Sequence, residues 1–385
     1  MDTARTQRMH DALLRSVRTV SDVGDAAIVI DGRRLLNFAS NDYLGLARHP
    51  LLVEALTRAA RRGGVGATAA HLLGGHRAEH AELELTLARW TGRERALLFS
   101  TGYMANLGVM QSLLAAGDIC VQDKLNHACL LDGARLAGSD LKRYLHADVD
   151  SARRQLDTQP DAAALLATDG VFSMDGDVAP LRALALLCQT QRATMFVDDA
   201  HGLGVLGTHG GGSVVEAGLS ENDVPILMAT LGKALGVAGA FVAGPAALID
   251  GLVQFARTHV YTTAMPPALA AATIAAVRLA RDEDWRRQHL VVLIAHFRDG
   301  AERRGITLLA SRTPIQPVAI GSSAGALRAS AMLEQAGFFV PAIRPPTVAE
   351  GSARLRVTLS AAHTEADVEG LLGALAKVSC AVEVC

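Results

Sequence analysis

No cysteine pairing is visible in this chain. Its five cysteines (Cys120, Cys129, Cys188, Cys380 and Cys385) show neither a CxxC nor any paired spacing, so they read as reduced thiols of a cytosolic protein rather than a disulfide framework. No sign of charge dominates either. A formal net charge of -2 offers no electrostatic footprint for nucleic acid or a membrane surface. Long hydrophobic runs are also missing: the longest, such as 266–277, are alanine-rich and too short to span a bilayer. Residues 1–20 mix charged and apolar side chains without the continuous core of a signal peptide. The expectation is a soluble, cytoplasmic protein with no nucleic-acid or membrane partner.

What is present is ordinary globular material. At 385 residues, 50% hydrophobic and 20% charged, the chain exceeds one comfortable core and implies two or three substructures. Met9, Leu13, Leu14 and Val17 recur at helical spacing and predict a short amphipathic arm over 8–20. Residues 27–30 and 35–38, flanking Asp31-Gly32, predict a hairpin. A helix is expected at 50–62, opening on Pro50, then a glycine-rich loop over 63–76 and a helix over 78–90. From there buried strands at 96–99, 119–122, 165–168 and 194–197 alternate with helices at 127–137 and 181–189. That rhythm predicts an α/β fold with a doubly wound, mostly parallel sheet whose site lies at the carboxyl ends of the strands. Past residue 261 the texture changes to long helices at 269–281 and 284–303, followed by strands at 315–320, 338–343 and 355–359. The expected division is an N-terminal arm (1–40), a large domain (41–260) and a smaller C-terminal α+β domain (261–385).

Several motifs match familiar patterns but lack the required context. Gly202-Leu-Gly-Val-Leu-Gly207 has the GxGxxG spacing and follows a strand, yet Thr208-His-Gly-Gly-Gly-Ser213 prolongs the loop where a dinucleotide site needs a helix. Gly232-Lys233 lacks the upstream glycine and the following Ser/Thr of a P-loop. His76-Arg-Ala-Glu-His80 has the HxxEH spacing of zinc enzymes, but no third ligand is evident, and polar packing is the simpler reading. No metal site is expected.

Two stretches carry more. Lys233 is the only charged residue within 226–244, among Gly232, Ala234 and Gly236; a lysine in apolar surroundings is either snorkelling or employed as a nucleophile. Upstream, Met195-Phe-Val-Asp198-Asp-Ala-His201 ends a buried strand in a carboxylate, with a histidine three residues on. A carboxylate there can keep a pyridinium nitrogen protonated. A third stretch, Ser100-Thr-Gly-Tyr-Met-Ala-Asn106, turns from strand to helix and offers free backbone N–H groups to a phosphate.

Taken in order, Asn41-Asp-Tyr-Leu-Gly-Leu46, Asp169-Gly-Val-Phe-Ser-Met-Asp-Gly176, Val197-Asp-Asp-Ala-His-Gly202 and Thr230-Leu-Gly-Lys233 closely resemble the α-oxoamine synthases of pyridoxal phosphate fold type I, over nearly the whole chain. The resemblance implies a seven-stranded, mostly parallel large domain, a smaller C-terminal domain, and pyridoxal 5'-phosphate held covalently as an aldimine on Lys233. It implies that Asp198 partners the pyridinium nitrogen, His201 the phenolic oxygen, and His127 the ring face. Gly102, Tyr103, Ser173 and Thr230 match further cofactor contacts. Thr262 matches a phosphate contact made across a homodimer. Arg356 and Asn41 match groups that hold an amino-acid carboxylate, and His127, Arg15 and Thr347 match substrate contacts. Ala342-Ile-Arg-Pro-Pro-Thr-Val348 and Arg354-Leu-Arg356 are most similar to members that condense L-alanine with a pimeloyl thioester, of coenzyme A or acyl carrier protein. Members using glycine or serine stay open, as does a cofactor-free binding protein that kept the fold. Ala234, where many members have glycine, and Ala39-Ser40, where Ser-Ser is common, depart from the pattern without removing a functional group.

Overall fold

In the computed structural model, which describes residues 1–10 and 13–383, contacts divide the chain into two compact units. One comprises Leu46–Phe172 and Val178–Asp284; the other comprises Met1–Gly45, Ser173–Asp177 and Trp285–Cys385. No helix among the described residues is long and apolar enough to cross a membrane.

The first unit is built on a seven-stranded sheet. Its strands run, in spatial order, Arg95–Phe99, Ala240–Gly244, Ile226–Thr230, Thr194–Asp198, Ala164–Asp169, Ile119–Asp123 and Asp140–Tyr144. Ala240–Gly244 is antiparallel to both neighbours, and every other pairing is parallel. Central strands such as Met195-Phe-Val-Asp198 are continuously apolar because both sheet faces are covered. Their alternation then sorts side chains between two cores. Phe196, Ala167 and Met228 pack with Val109, Met110, Leu130, Ile249 and Leu252, whereas Met195, Val197, Leu166 and Leu227 pack with Ala152, Leu156, Leu184 and Leu187. The parallel strands all end on the same edge, so the loops after Phe99, Asp123, Asp169, Asp198 and Thr230 share it. The helix Pro267–Asp282 also belongs to this unit, packing on Pro50–Gly63 and Ala78–Thr91.

The second unit carries two small sheets. Ala27–Ile30 and Arg33–Asn37 form the expected hairpin, with Asp31 at φ 52° and Gly32 at φ 73°, the left-handed pair a two-residue turn needs. Val20–Val23 pairs with Ala27–Ile30, and Ile315–Gly321, Ala353–Thr358 and Ala342–Ile343 form a second sheet. Helices Trp285–Arg303, Ser323–Gln335 and Glu365–Glu383 complete the unit.

Two expectations are corrected. The N-terminal helix spans Asp2–His10, and 13–19 has no regular structure; residues 11 and 12 of the expected arm lie outside the described residues. Val17 is fully exposed, so its helical spacing marks no buried face. The single strand expected over 338–343 is two: Phe338–Phe339 pairs parallel with Arg33–Asn37, and Ala342–Ile343 pairs antiparallel with Ala353–Thr358. Pro341, without an N–H to give a ladder, sits at the break. Cys120, Cys129 and Cys188 are free and buried; the expectations on the Cys380 side chain and on Cys385 lie outside the described residues.

A cluster of imidazoles ties together the glycine-rich loop, the helix after it and the segment ending at Met265. His71 is the third histidine that the HxxEH spacing did not reveal, and the nitrogens of His71, His76 and His80 come within 4.8 Å of one another. They are engaged as hydrogen-bonding groups. His71 Nδ1 and His76 Nδ1 are 3.0 Å apart, His80 Nδ1 accepts from the Arg77 N–H at 2.9 Å, and His80 Nε2 donates to Met265 O at 2.8 Å. His259 stacks on His71 at 4.7 Å between ring centroids.

Burial, reinforced by its imidazole neighbours, pulls the His71 pKa down to about 3. The unfolded chain therefore takes up this proton near pH 6.5 and the folded chain does not, so His71 costs nothing above pH 6.5 and destabilises as pH falls below it. At pH 5 that cost is about 2 kcal/mol. His71→Asn should therefore gain about 2 kcal/mol relative to the parent between pH 7.5 and pH 5, read as a closing gap in urea midpoints; a gap independent of pH would contradict it. Gly236 gives a second prediction. It has φ 67°, and a Cβ there would lie 2.4 Å from Ala47 N. Gly236→Ala should lose more than about 2 kcal/mol in thermal unfolding, while Gly251→Ala, in a helix with nothing within 4 Å, should be neutral or better.

Candidate functional site

Asp198 and Asp199, adjacent in sequence, have separate fates. Asp198 ends its strand with both oxygens held: Oδ2 accepts from Asn106 Nδ2 at 2.7 Å and Oδ1 from the Ala200 N–H at 3.0 Å. Asp199 is fully buried and accepts from the Ser213 N–H at 2.7 Å; burial pushes its carboxyl up to about 6. The first glycine of the GxGxxG match, and Gly212 beyond it, are required by this aspartate. A Cβ on Gly202 would lie 2.0 Å from Asp199 Oδ1, and one on Gly212 would lie 2.1 Å from Oδ2. Only the single turns Thr208–Gly210 and Ser213–Glu216 follow, so the loop wraps a carboxylate and opens no dinucleotide-binding helix.

Lys233 stands on a turn closed by its own backbone. Gly236 N–H donates to Lys233 O at 2.9 Å, and Leu231 N–H to Gly239 O at 2.9 Å. The Thr230 hydroxyl accepts from the Gly232 N–H at 3.2 Å and donates to Gly239 O at 3.1 Å, locking the approach to the lysine. Half-buried Lys233 places Nζ 2.9 Å from Nε2 of buried His201. The sequence-predicted lysine and histidine are thus brought together.

His127 caps the helix Ala128–Ala137. Its N–H reaches both oxygens of Asp169, at 3.2 and 3.4 Å, and its Nδ1 lies 2.7 Å from Cys129 Sγ. Desolvation lowers the His127 pKa, Asp198 opposes that, and Lys233 adds to it, so all three groups act on one another. Asp169 pairs in register with Asp198 on the adjacent strand. Its burial, then the Asp198 charge, hold its carboxyl well above the usual range. On the same edge, Gly102–Leu113 begins after Thr101, whose hydroxyl accepts from the Met104 N–H at 3.2 Å. The amides of Gly102 and Tyr103 are left to the first turn, where the helix dipole favours an anion; the Tyr103 hydroxyl is bound by Asp132. Asn106, Cys129 and Asp169 were missed as site residues. The alternation of strands and helices marks the loops on this edge but gives no sign that Asn106, one turn inside a helix, points back to them.

The second unit has its own polar group. Arg356 is 5% exposed; it donates Nε to Ser173 O at 2.6 Å, Nη1 to Thr358 Oγ1 at 3.0 Å, and both terminal nitrogens to Asn41 Oδ1 at 3.3 and 3.2 Å. Among the described residues no carboxylate pairs with it, whereas Arg354, two positions earlier, is paired with Asp175. A buried guanidinium with only neutral acceptors is a site for an anion. Arg15 and Thr347 also meet, Nη2 to Oγ1 at 3.3 Å. Thr262 is half-buried in the first unit, beside the bridge between Ala70 and Thr263.

Comparison with known proteins agrees with this geometry. The family aminotransferase class I and II matches residues 33–375. The chain is 55% identical to the 8-amino-7-oxononanoate synthase of Alkalilimnicola ehrlichii over 96% of its own length and 95% of that protein. Serine palmitoyltransferase from S. paucimobilis with bound PLP-myriocin aldimine superposes with a TM-score of 0.94 at 26% identity, over 100% of this chain and 98% of that one. The 8-amino-7-oxononanoate synthase of Francisella tularensis superposes with a TM-score of 0.80 at 28% identity, over 91% and 99%. The fold is therefore that of the pyridoxal-phosphate-dependent fold type I enzymes. The chain belongs to the 8-amino-7-oxononanoate synthase family within the aminotransferase class I and II enzymes.

Proposed function

We propose that this enzyme condenses L-alanine with a pimeloyl thioester, of coenzyme A or acyl carrier protein, releasing 8-amino-7-oxononanoate, carbon dioxide and the free thiol in biotin biosynthesis. The observation that carries the reading is Lys233 Nζ at 2.9 Å from His201 Nε2, in electrostatic contact with the His127 and Asp198 group. That donor set fits pyridoxal phosphate: an amine for the aldehyde, a fixed carboxylate for the ring nitrogen, and the amides of a helix start for the phosphate. When bound, the cofactor supplies an electron sink for negative charge developing at the α-carbon of alanine.

The chain's own residues do the rest. Asp198, held by Asn106 and the Ala200 amide, would keep a proton on the ring nitrogen. His201 would serve the phenolic oxygen, and His127 would cover the ring face. The Gly102 and Tyr103 amides, with Ser173 and Thr230, hold the cofactor in place, and Thr262 completes the phosphate site of the other subunit in a homodimer. Lys233, whose amine would hold the cofactor's aldehyde until alanine binds, would remove the α-proton as general base. The α-carbon then bonds to the thioester carbonyl as the thiolate leaves, the former alanine carboxylate departs as carbon dioxide, and Lys233 returns a proton to the same carbon. Arg356 and Asn41 hold the alanine carboxylate, while Arg15 and Thr347 contact the acyl chain. The cytoplasm, which supplies acyl thioesters, is the proposed compartment.

The likeness to serine palmitoyltransferase gives the competing choice of amino acid its weight. Cofactor-loaded protein incubated with pimeloyl-CoA and equimolar L-alanine, glycine and L-serine should yield the decarboxylated alanine adduct alone by mass spectrometry. A glycine or serine adduct would overturn the amino-acid assignment, and Lys233→Ala should lose at least about 1000-fold of the rate. Arg356→Lys, which keeps the charge but loses the planar fork, should raise the KM for alanine about 10- to 100-fold with the cofactor's visible absorbance unchanged. A normal KM would remove Arg356 from the carboxylate site.

A further inference from the structure

Asp198 ends one strand and His127 follows another, yet one chain of hydrogen bonds joins them. Its centre is Asn106, fully buried on the helix Gly102–Leu113. The two hydrogens of its amide have two receivers: Asp198 Oδ2 at 2.7 Å and Cys129 Sγ at 2.9 Å. A sulfur that accepts there keeps its own hydrogen for another partner, and His127 Nδ1 lies 2.7 Å away. The backbone N–H of Cys129 also points at Nδ1, at 3.3 Å. Cys129 is 2% exposed, and burial together with the Asp198 charge pushes its thiol up, so at neutral pH it is an S–H donor. With two donors directed at Nδ1, the His127 ring can carry its proton only on Nε2.

We propose that Asn106 and Cys129 are positioning residues whose side chains bridge Asp198 to His127, fixing the carboxylate and holding the imidazole neutral with its proton on Nε2. Their role builds on the placement of those two residues against the cofactor ring in the function proposed above. The other charges acting on His127 divide: Asp198 and Asp132 favour the imidazolium, and Lys233 and desolvation oppose it. The Asp169 carboxyl faces the His127 backbone N–H. The bridge tips this balance, because protonating Nδ1 would set an N–H against an S–H and an N–H. A fixed neutral ring presents the same flat face to the cofactor at every turnover, and no cation is placed where the ring nitrogen needs its proton.

The test reads the bridge without substrate, so it stands or fails separately from the proposed reaction. Cofactor-loaded protein labelled with [15N]histidine, with the His127 signals identified by their loss in His127→Gln, should show an unprotonated Nδ1 and a protonated Nε2 that do not change between pH 8 and pH 6. Cys129→Ala should move this ring toward a mixture of tautomers or bring its titration into that window, and Cys129→Ser, which restores an O–H donor, should return it to the parent pattern. Activity should follow, with kcat in Cys129→Ala down about 10-fold, KM for alanine within twofold, and a new acid limb in the pH profile. A Cys129→Ala ring indistinguishable from the parent would overturn the proposal. So would a Cys129→Ser ring that behaves like the alanine variant. Should Cys129→Ala fail to fold, Cys129→Ser decides alone: a protonated Nδ1 in that variant overturns the bridge, and an unprotonated one supports it.

Discussion

A carboxylate sits at the end of a strand with apolar side chains behind it, and much of the large unit follows from the need to give its oxygens partners. Met195, Phe196 and Val197 are each fully buried, and Asp198 itself is 5% exposed. An isolated ion in that setting would take up a proton. Two donors, the Asn106 amide and the Ala200 N–H, replace the water it has lost, one on each oxygen. The neighbouring Asp169 has one backbone donor, the His127 N–H, shared between its two oxygens. Asp169 is buried, and burial together with the Asp198 charge beside it raises its carboxyl well above the usual range.

The glycines follow from the same constraint. Asp199 reaches into the loop behind it, and its oxygens occupy the space that a Cβ on Gly202 or Gly212 would need. A side chain at either position would displace the acid that pins the loop and, with it, His201 three residues from Asp198. Gly236 plays the corresponding part for Lys233, because its backbone lies against Ala47 where no Cβ fits. The small residues around the lysine therefore serve the path of the chain at least as much as room for a flat ligand.

Where local pattern and burial coincide, the fold is legible from sequence. The strands ending at Phe99, Asp123, Asp169 and Asp198 are apolar runs bounded by polar turns, and they form as expected. Ala240–Gly244 is just as apolar, but nothing in the run tells that it reverses direction between two parallel neighbours. Phe338–Ile343 reads as one strand because pattern does not register that Pro341 divides it between two sheets. The N-terminal arm misled for the opposite reason, since helical spacing of exposed residues has no core to answer to. At the site, motif order picks out Lys233, Asp198 and His201, the family resemblance adds His127, and the four groups lie close enough to act on one another. Asn106, Cys129 and Asp169 touch them only through side-chain geometry, which spacing does not carry. His71 joined the other histidines in the same way, across a loop of no fixed period.

Arg354 and Arg356 show why a site is more than its residue types. They lie on one face of the strand Ala353–Thr358 and are both buried, and their residue type and spacing alone do not tell them apart. Asp175 takes up the charge of Arg354, leaving a closed ion pair that fixes the Ser173–Asp177 segment. Arg356 instead meets a backbone carbonyl, a hydroxyl and the Asn41 amide oxygen, which satisfy its N–H groups without cancelling its charge. Exchanging a hydrated guanidinium for neutral acceptors is unfavourable unless an anion arrives to complete the set. The asymmetry therefore separates structure from recognition: loss of Arg354 should be felt in the folded state itself, and loss of Arg356 when an anion binds, which in the function proposed above is the alanine carboxylate.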